Sequence, residues 1–391
     1  MTTDLTPELN EYRRAVRDFT SKELRHWAQE IDKMGRIPAG LWDTFGKHGY
    51  HGMRLPTEYG GVGLSLFQYC LTMEEFSRLH RVFTIAANFT SGMTPIAIMR
   101  HGTSEQKERY LRGFSAGKSK AAFALTEPGG GSDPASITTK AVRRGDRWVI
   151  DGRKHFISGG HEADVVLVIA VTDAEKRARG GITAFLVDKG TPGFSVTRVD
   201  TTIASDAIKL AELTFDNCEV PNGAVLGPVG SGFKVAMGSL NNGRLSVSCC
   251  CIGAAESLLG MATEHAKIRQ TFGKPLAERQ AIQWMLVDSA IDIKAARAMT
   301  YDTLMKLEEG KDVGSAGSMC KVFCSEMVGR VVDRVVQIHG GMGVVRGFPV
   351  ERFYRDVRHY RVGEGASEIQ RIVVARDLLS TGAVTAMGGL V

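Results

Sequence analysis

Apolar positions in the first third of the chain recur with helical spacing. Leu9, Tyr12, Val16 and Phe19 share one face, and Thr6-Pro7 ahead of them supplies a side-chain cap and a first-turn proline. Thr103 followed by Gln106 has the form of a capping box, with Tyr110, Leu111 and Phe114 behind it. A glycine-rich loop over residues 56–63 interrupts this helical zone. The pattern then changes. Residues 121–126, 148–150, 165–171, 183–187 and 213–215 are short apolar or β-branched runs bounded by Gly, Pro and Asp, with no helical pattern between them. That spacing predicts a small β-barrel or sandwich and argues against a Rossmann unit, which alternates strand and helix. Long helical periods return over 254–268, 280–307 and 318–338, as in a helical bundle. The expected fold class is therefore α+β and multi-domain: an N-terminal helical domain (1–118), a middle β domain (119–232) and a C-terminal four-helix-bundle domain (233–391).

Composition agrees with this picture and narrows the partners. A chain of 391 residues predicts two or three domains, each with its own core. With 43% hydrophobic and 24% charged residues it is neither disordered nor fibrous, and its 45 glycines follow no period. The net charge of +6 suits a phosphate-rich small ligand but lacks the concentrated stripe of a nucleic-acid binder; the arginines between Arg346 and Arg376 are interspersed with acids. No apolar block follows a basic start, and the run 165–171 is far short of a membrane span, so a cytoplasmic protein with no membrane partner is expected. Seven cysteines without a Cys-x-x-Cys pair argue against disulfides and against a metal site.

Familiar phosphate motifs are absent. No Gly-x-Gly-x-x-Gly follows a strand, and Gly117-Lys118-Ser119 lacks the upstream glycine of a P-loop. Four segments carry chemistry instead. Phe123-Ala-Leu125-Thr126-Glu-Pro-Gly-Gly-Gly131-Ser132-Asp133 is a strand running into a loop whose backbone can approach a ligand, or an ordinary glycine turn. His155-Phe156-Ile157-Ser158 ends a strand with an aromatic and a hydroxyl that alternation puts on one face, suited to a flat ring or to a half-buried hairpin end. Arg269 to Leu276 separates two long helices; an arginine and an aromatic there can hold a pyrophosphate and an adenine, or simply form a capping turn. Finally, Glu364 sits between Gly363 and Gly365 before a helix that Ser367 can cap. A carboxylate on so permissive a turn can be aimed into a cavity as a general base, although exposed loop glutamates are commoner.

Together these segments resemble the acyl-CoA dehydrogenase family. The matching blocks fall in family order: Thr126-Glu-Pro-Gly with Gly131-Ser132-Asp133, then Phe156-Ile157-Ser158, Phe215 with Val220-Pro221, Arg269 with Phe272-Gly273-Lys274-Pro275-Leu276, Gln337-Ile with Gly340-Gly341 and Gly343, and Glu364-Gly365 leading to Ile369-Gln370-Arg371. The resemblance implies an FAD enzyme that forms a trans double bond between Cα and Cβ of an acyl-CoA thioester, Glu364 removing the α-proton and hydride passing to flavin N5. It implies that Phe123, Leu125, Thr126, Gly131, Ser132, Phe156, Ile157 and Ser158 hold the isoalloxazine side, with Ala366 and Glu368 beside the base. Arg269, Phe272, Gln280, Gln337, Gly340 and Gly341 would reach the adenine–pyrophosphate half, bound mainly by a neighbouring subunit. Ser132, Asn241, Arg244 and Gly365 would contact the substrate. A homo-oligomer, dimer or tetramer, and an electron-transferring flavoprotein as acceptor follow from the same resemblance.

The chain also departs from the family pattern. Gly363 replaces an aromatic, Ala366 a threonine, Phe156 a tryptophan and Ser158 a threonine. Some members carry their base just before the arginine matching Arg244, where this chain has Gly243. That leaves Glu364 as the candidate. The unusual neighbours of Glu364 keep open a flavin oxidase or monooxygenase on the same fold, whereas the intact flavin blocks and Glu364 itself argue against a flavin-free binding protein.

Overall fold

A computed structural model describes residues 5–381. The N-terminal part is helical throughout. α1 (Pro7–Phe19) runs through a π-turn at Thr20–Leu24 into α2 (Arg25–Met34), and α3 (Ala39–Lys47), α4 (Leu66–Ser77), α5 (Arg81–Ser91), α6 (Met93–His101) and α7 (Ser104–Ser115) follow. The caps are local: Thr6 Oγ1 accepts from Leu9 N at 3.3 Å, and the Thr103–Gln106 box closes in both directions.

The central part is one eight-stranded sheet. Its strands are β1 (Ala121–Ala124), β2 (Lys140–Arg144), β3 (Arg147–Ser158), β4 (Val165–Val171), β5 (Ile182–Asp188), β6 (Phe194–Thr201), β7 (Lys209–Pro221) and β8 (Val225–Leu226). They run in the order β6-β7-β3-β2-β4-β5-β8, with β1 parallel to β4. Every residue of β4 is buried because both its faces are covered, which explains its unbroken apolar run. Leu167 and Ile169 pack toward α6, α7 and the start of α8, whereas Val166, Val168 and Ala170 face a second core with Trp148, Phe185 and Phe215. Residues of β3 and β7 meet those of β4 and β5 in that core, so the sheet curls around it; the Trp148 and Phe185 rings meet edge-on at 5.4 Å. Two strands escape the hydrophobic pattern. β2 buries only Ala141, and β6 is an almost wholly exposed edge paired to β7 through its backbone.

The C-terminal part holds α8 (Gly232–Ile268), the two-residue strands β9 (Gln270–Thr271) and β10 (Lys274–Pro275), α9 (Gln280–Glu308), α10 (Ala316–His339), α11 (Pro349–Val357) and α12 (Ser367–Thr381). It does not have a core to itself. Phe67, Cys70 and Phe76 of α4 belong to one hydrophobic cluster with Cys249 and Leu258 of α8, Tyr301 of α9 and Val331 of α10. The expectation of one core per zone therefore fails for the two helical zones. All seven cysteines are free and buried. Two stretches, Arg81–His101 and Gly232–Ile268, are long and apolar enough to cross a bilayer by composition, and both lie mostly inside the protein.

A buried charge network stitches the same helices. Glu74 and Glu75 on α4 are fully buried. Arg13 reaches both, at 2.7 and 2.8 Å, Arg297 reaches Glu74 at 3.0 Å, and the Tyr301 hydroxyl donates to Glu74 at 2.8 Å. Such carboxylates are tolerated because each is met by cations and donors. Glu256 of α8 joins the network through Arg78 of the α4 end at 2.8 Å and Arg13 at 3.4 Å, so α4 and α8 lie together, and Gly253 permits it: a Cβ there would overlap the Glu74 carbonyl and stand 2.5 Å from Ser77 Oγ. Gly253→Ala is expected to lower folding stability by at least ~1–3 kcal/mol, since backbone rather than a flexible side chain must move. Chemical denaturation of the purified protein checks this, and an unchanged midpoint would contradict the packing argument.

Candidate active site

Glu364 lies on the turn between α11 and α12 with φ +57°, a left-handed conformation that a non-glycine residue adopts only when its surroundings impose it. The flanking glycines are dictated by space. A Cβ on Gly363 would overlap the His359 imidazole, and one on Gly365 would overlap the Gln370 amide. Lys321, fully buried on α10, donates from Nζ to the Gly365 carbonyl at 2.7 Å, and Gly363 N donates to His359 O at 2.9 Å. Ser367 does not act as the expected cap: it is the first residue of α12, and its buried hydroxyl has no hydrogen-bond partner among the described residues.

The turn drives the carboxyl group against α8. A Cβ at Gly243 would stand 2.6 Å from Glu364 Oε2 and 3.1 Å from Cδ, so the carboxyl occupies the room that a side chain at 243 would need. Oε2 is buried without a hydrogen bond from any described residue. Burial pushes the Glu364 pKa up to about 7, against the opposing pull of Arg244 and Lys321. Arg244, one residue along α8, directs Nη1 to Ser318 Oγ at 3.3 Å. A poised, partly desolvated carboxyl beside two cations is what proton abstraction near neutral pH requires.

A second group of residues forms at the end of the sheet. His155 N donates to Thr126 O at 2.9 Å, joining the end of β3 to the loop after β1. That loop is held from below by a buried ion pair. Lys154 Nζ donates to Leu125 O at 3.0 Å and to Glu127 Oε1 at 2.8 Å, while Glu127 accepts from Thr138 N and Thr139 N. Burial would raise Glu127, but Lys154 and the threonines outweigh it and bring it to about 2; burial, opposed by Glu127, lowers Lys154 to about 8. Regular alternation does not carry through β3 as expected. The register slips between Lys154 and Ile157, and Phe156 sits in the left-handed region at φ +58° with its exposed ring flat on His155 at 3.8 Å. Ile157 is buried, while Phe123, Thr126 and Ser158 are half-buried. The Thr126 and Ser158 hydroxyls make no hydrogen bond to any described residue. Gly131 packs against the Thr126 side chain, and Ser132 is exposed on the same loop.

The remaining predicted cofactor residues are elsewhere. Arg269 ends α8, and Phe272, 98% exposed with φ +50°, forms the turn of the β9–β10 hairpin with Gly273. Gln337, Gly340 and Gly341 lie exposed at the end of α10, which a His265–His339 ring stack at 4.4 Å ties to the end of α8. Gln280 opens α9 and is exposed. From Gly243 to His265 α8 rises roughly 33 Å at ~1.5 Å per residue. One chain therefore does not bring this group to Glu364. Ala366 is half-buried beside the base, Glu368 is exposed on α12, and the Asn241 side chain lies outside the described residues.

Several participants were not anticipated. Lys321 is the one lysine among the buried residues of α10, with Cys324, Val328 and Val331 on the same helix; a cation on a buried stripe is the signal that could have revealed it. Lys154, His359 and Arg81 have no comparable local signature.

A helical–sheet–helical flavoenzyme is the class that this fold defines: unbonded hydroxyls and an exposed aromatic offer a flat ring both donors and a platform. The chain belongs to the acyl-CoA dehydrogenase family. Models of that family's N-terminal, middle and C-terminal domains match residues 6–118, 122–218 and 230–379. An acyl-CoA dehydrogenase of Bacillus subtilis (strain 168) is 36% identical over 375 residues, 96% of this chain and 99% of that protein. The structure of butyryl-CoA dehydrogenase from Megasphaera elsdenii superposes with a TM-score of 0.91 at 34% identity, covering 97% of this chain and all of that one. A chain from a structure titled for the electron transferring flavoprotein of Acidaminococcus fermentans superposes with a TM-score of 0.92 at 36% identity, with 97% and 100% covered. The protein is thus an FAD-dependent oxidoreductase of this family.

Two outcomes follow from the base. Only the ionised carboxyl accepts a proton, so flavin reduction should rise with pH through a limb near 7. Lys321→Met removes a cation that favours the ionised form and should move that limb upward with flavin content retained; pre-steady-state reduction across pH reads both. Gly243→Ala should displace the carboxyl and slow reduction by ~10²-fold, and a wild-type rate in that variant would show that the contact does not matter.

Proposed function

We propose that this protein oxidises the Cα–Cβ bond of an acyl-CoA thioester to the trans-2-enoyl-CoA, with Glu364 as the base that takes the α-proton. The observation that carries this reading is the carboxyl group seated against Gly243, buried and raised to about 7. Bound FAD supplies the acceptor for the hydride that leaves Cβ. The chain's own residues do the rest. Phe123, Leu125, Thr126, Gly131, Phe156 and Ser158 hold the ring and its edge, with the free hydroxyls as hydrogen-bond donors. The Lys154–Glu127 pair keeps their loop in place. Glu364 holds the abstracted proton at its carboxylate, and entry of the acyl group excludes water and strengthens the base. Arg244 and Lys321 supply positive charge beside the developing negative charge of the thioester.

The distant group, Arg269, Phe272, Gln280, Gln337, Gly340 and Gly341, fits the adenine–pyrophosphate half of FAD held by a second copy of the chain. Exposed apolar side chains support self-association there. Ile268, Phe272, Trp284, Val287 and Ile291 are each more than half exposed, and the last three follow one face of α9. An electron-transferring flavoprotein as acceptor is supported by the structural relative whose title names one.

Glu364→Gln should purify yellow yet fail to bleach anaerobically with acyl-CoAs that reduce the wild type, a loss of at least ~10²-fold. Bleaching at the wild-type rate would remove Glu364 from the mechanism, and prompt peroxide formation in air would favour an oxidase. Trp284→Glu should lower both the solution mass and FAD retention on dilution, measured by light scattering and flavin absorbance; a change in neither would refute the shared site.

A further inference from the structure

Beneath the glycine loop after β1 lies a buried ion pair that net stability alone does not explain. Lys154 of β3 is fully buried and Glu127 nearly so. Apolar side chains of similar volume in place of such a pair are often neutral or stabilising. The geometry of the pair is one-sided. The Lys154 ammonium donates to the Leu125 carbonyl at 3.0 Å and to Glu127 Oε1 at 2.8 Å. The Glu127 carboxylate turns to the residues just ahead of β2, accepting from Thr138 N at 2.7 Å, Thr138 Oγ1 at 2.6 Å and Thr139 N at 2.9 Å. The negative end is thus spread over three further donors, whereas the positive end rests on a backbone carbonyl.

That carbonyl belongs to the peptide unit that ends in the Thr126 N–H. Among the described strands β1 pairs with β4 alone, and its last paired residue is Ala124, so the Leu125 carbonyl has no strand partner. The adjoining backbone is satisfied: Thr126 O accepts from His155 N at 2.9 Å, and Glu127 and Gly130 exchange bonds at 3.2 and 3.1 Å. The Thr126 N–H and hydroxyl, by contrast, donate to no described residue. A cation on the oxygen of a peptide polarises it and strengthens the donor at its other end. Burial of Lys154 leaves that field weakly screened. Thr126 therefore presents two donors on a peptide already drawn toward positive charge.

We propose that Lys154, acting through the Leu125–Thr126 peptide, is a positioning residue that raises the reduction potential of the bound flavin. The inference rests on the reading that Thr126 holds the ring, and adds the residue that sets how readily the ring takes electrons. A hydride brings the ring two electrons and one proton, leaving it with one more negative charge. A strengthened N–H donor with a buried cation behind it favours that form over the oxidised one.

The test measures the flavin midpoint of the FAD-loaded full-length protein by equilibration with a redox dye, without any thioester. The double variant Lys154→Met, Glu127→Gln removes both charges and keeps the volume. It should stay yellow and shift the equilibrium about tenfold or more toward the oxidised form at pH 7, about 30 mV for two electrons. A second readout needs only the wild type. Burial lowers the Lys154 pKa to about 8 against the pull of Glu127, the one charged group acting on its ammonium among the described residues. New negative charge on the ring should raise that pKa, so above pH ~8 reduction should draw an extra proton to Lys154. The midpoint should then fall by ~30 mV more per pH unit, a tenfold change per unit, and the double variant should lack this bend. A double variant with the wild-type midpoint, or a wild type without the bend, overturns the inference; if the double variant loses its flavin, the wild-type bend decides. Thr126→Val separates the underlying reading. If it moves neither the midpoint nor FAD retention, Thr126 does not hold the ring and both fall. If it moves either while the double variant keeps the wild-type midpoint, the inference alone falls.

Discussion

How closely other elements can approach α8 decides almost everything at this active centre. Two glycines ten residues apart on that helix admit two different intruders. At Gly253 the backbone of α4 comes into contact, and at Gly243 the Glu364 carboxyl does. The first contact seats the N-terminal helices on the C-terminal bundle and brings Glu74 and Glu75 to arginines of α1 and α9. The second places the proposed base. Near its start, the same helix buries Val235 and Ala236 in the cluster under the sheet. A single rigid element therefore sets the distances between flavin platform, base and helical core, which explains why two helical zones far apart in sequence share one core.

The Glu364 turn itself is held by opposition. Among the described residues, three of the five non-glycine residues with positive φ are Phe156, Phe272 and Glu364, each assigned a functional role from sequence. Such conformations cost of order ~1–3 kcal/mol each and persist only where the surroundings over-determine them. For Glu364 those surroundings are Lys321 on the Gly365 carbonyl, His359 against Gly363 and Gln370 against Gly365. Lys321 has two effects: its hydrogen bond fixes the turn, while its charge pulls the carboxyl toward ionisation, and burial still prevails.

The sequence made some of this legible and hid the rest for physical reasons. The caps at Thr6 and Thr103, strand β4 and the long helices could be read because their signals are local and periodic. β6 could not, since an exposed edge strand has no apolar period and is held by backbone pairing alone. The bulge at Phe156 lies inside a run that alternates well enough to conceal it. Glu364 was legible from its glycine neighbours. Lys321 and Arg81, by contrast, take their meaning from residues tens to hundreds of positions away.

Gly363 shows how a departure from family pattern can mislead when read alone. An aromatic replaced by glycine reads in sequence as lost bulk beside the base. In the fold the space is taken by His359, four residues earlier, whose imidazole would collide with any side chain at 363. The exchange is thus of chemistry more than of volume: a nitrogen-bearing ring stands where a larger residue at 363 would begin, next to the buried Arg81 guanidinium that keeps it neutral. The glycine and the histidine form a coupled pair, since a side chain at 363 and the present position of the His359 ring exclude one another. Substituting 363 alone should therefore disturb the base turn through His359 rather than restore an apolar wall.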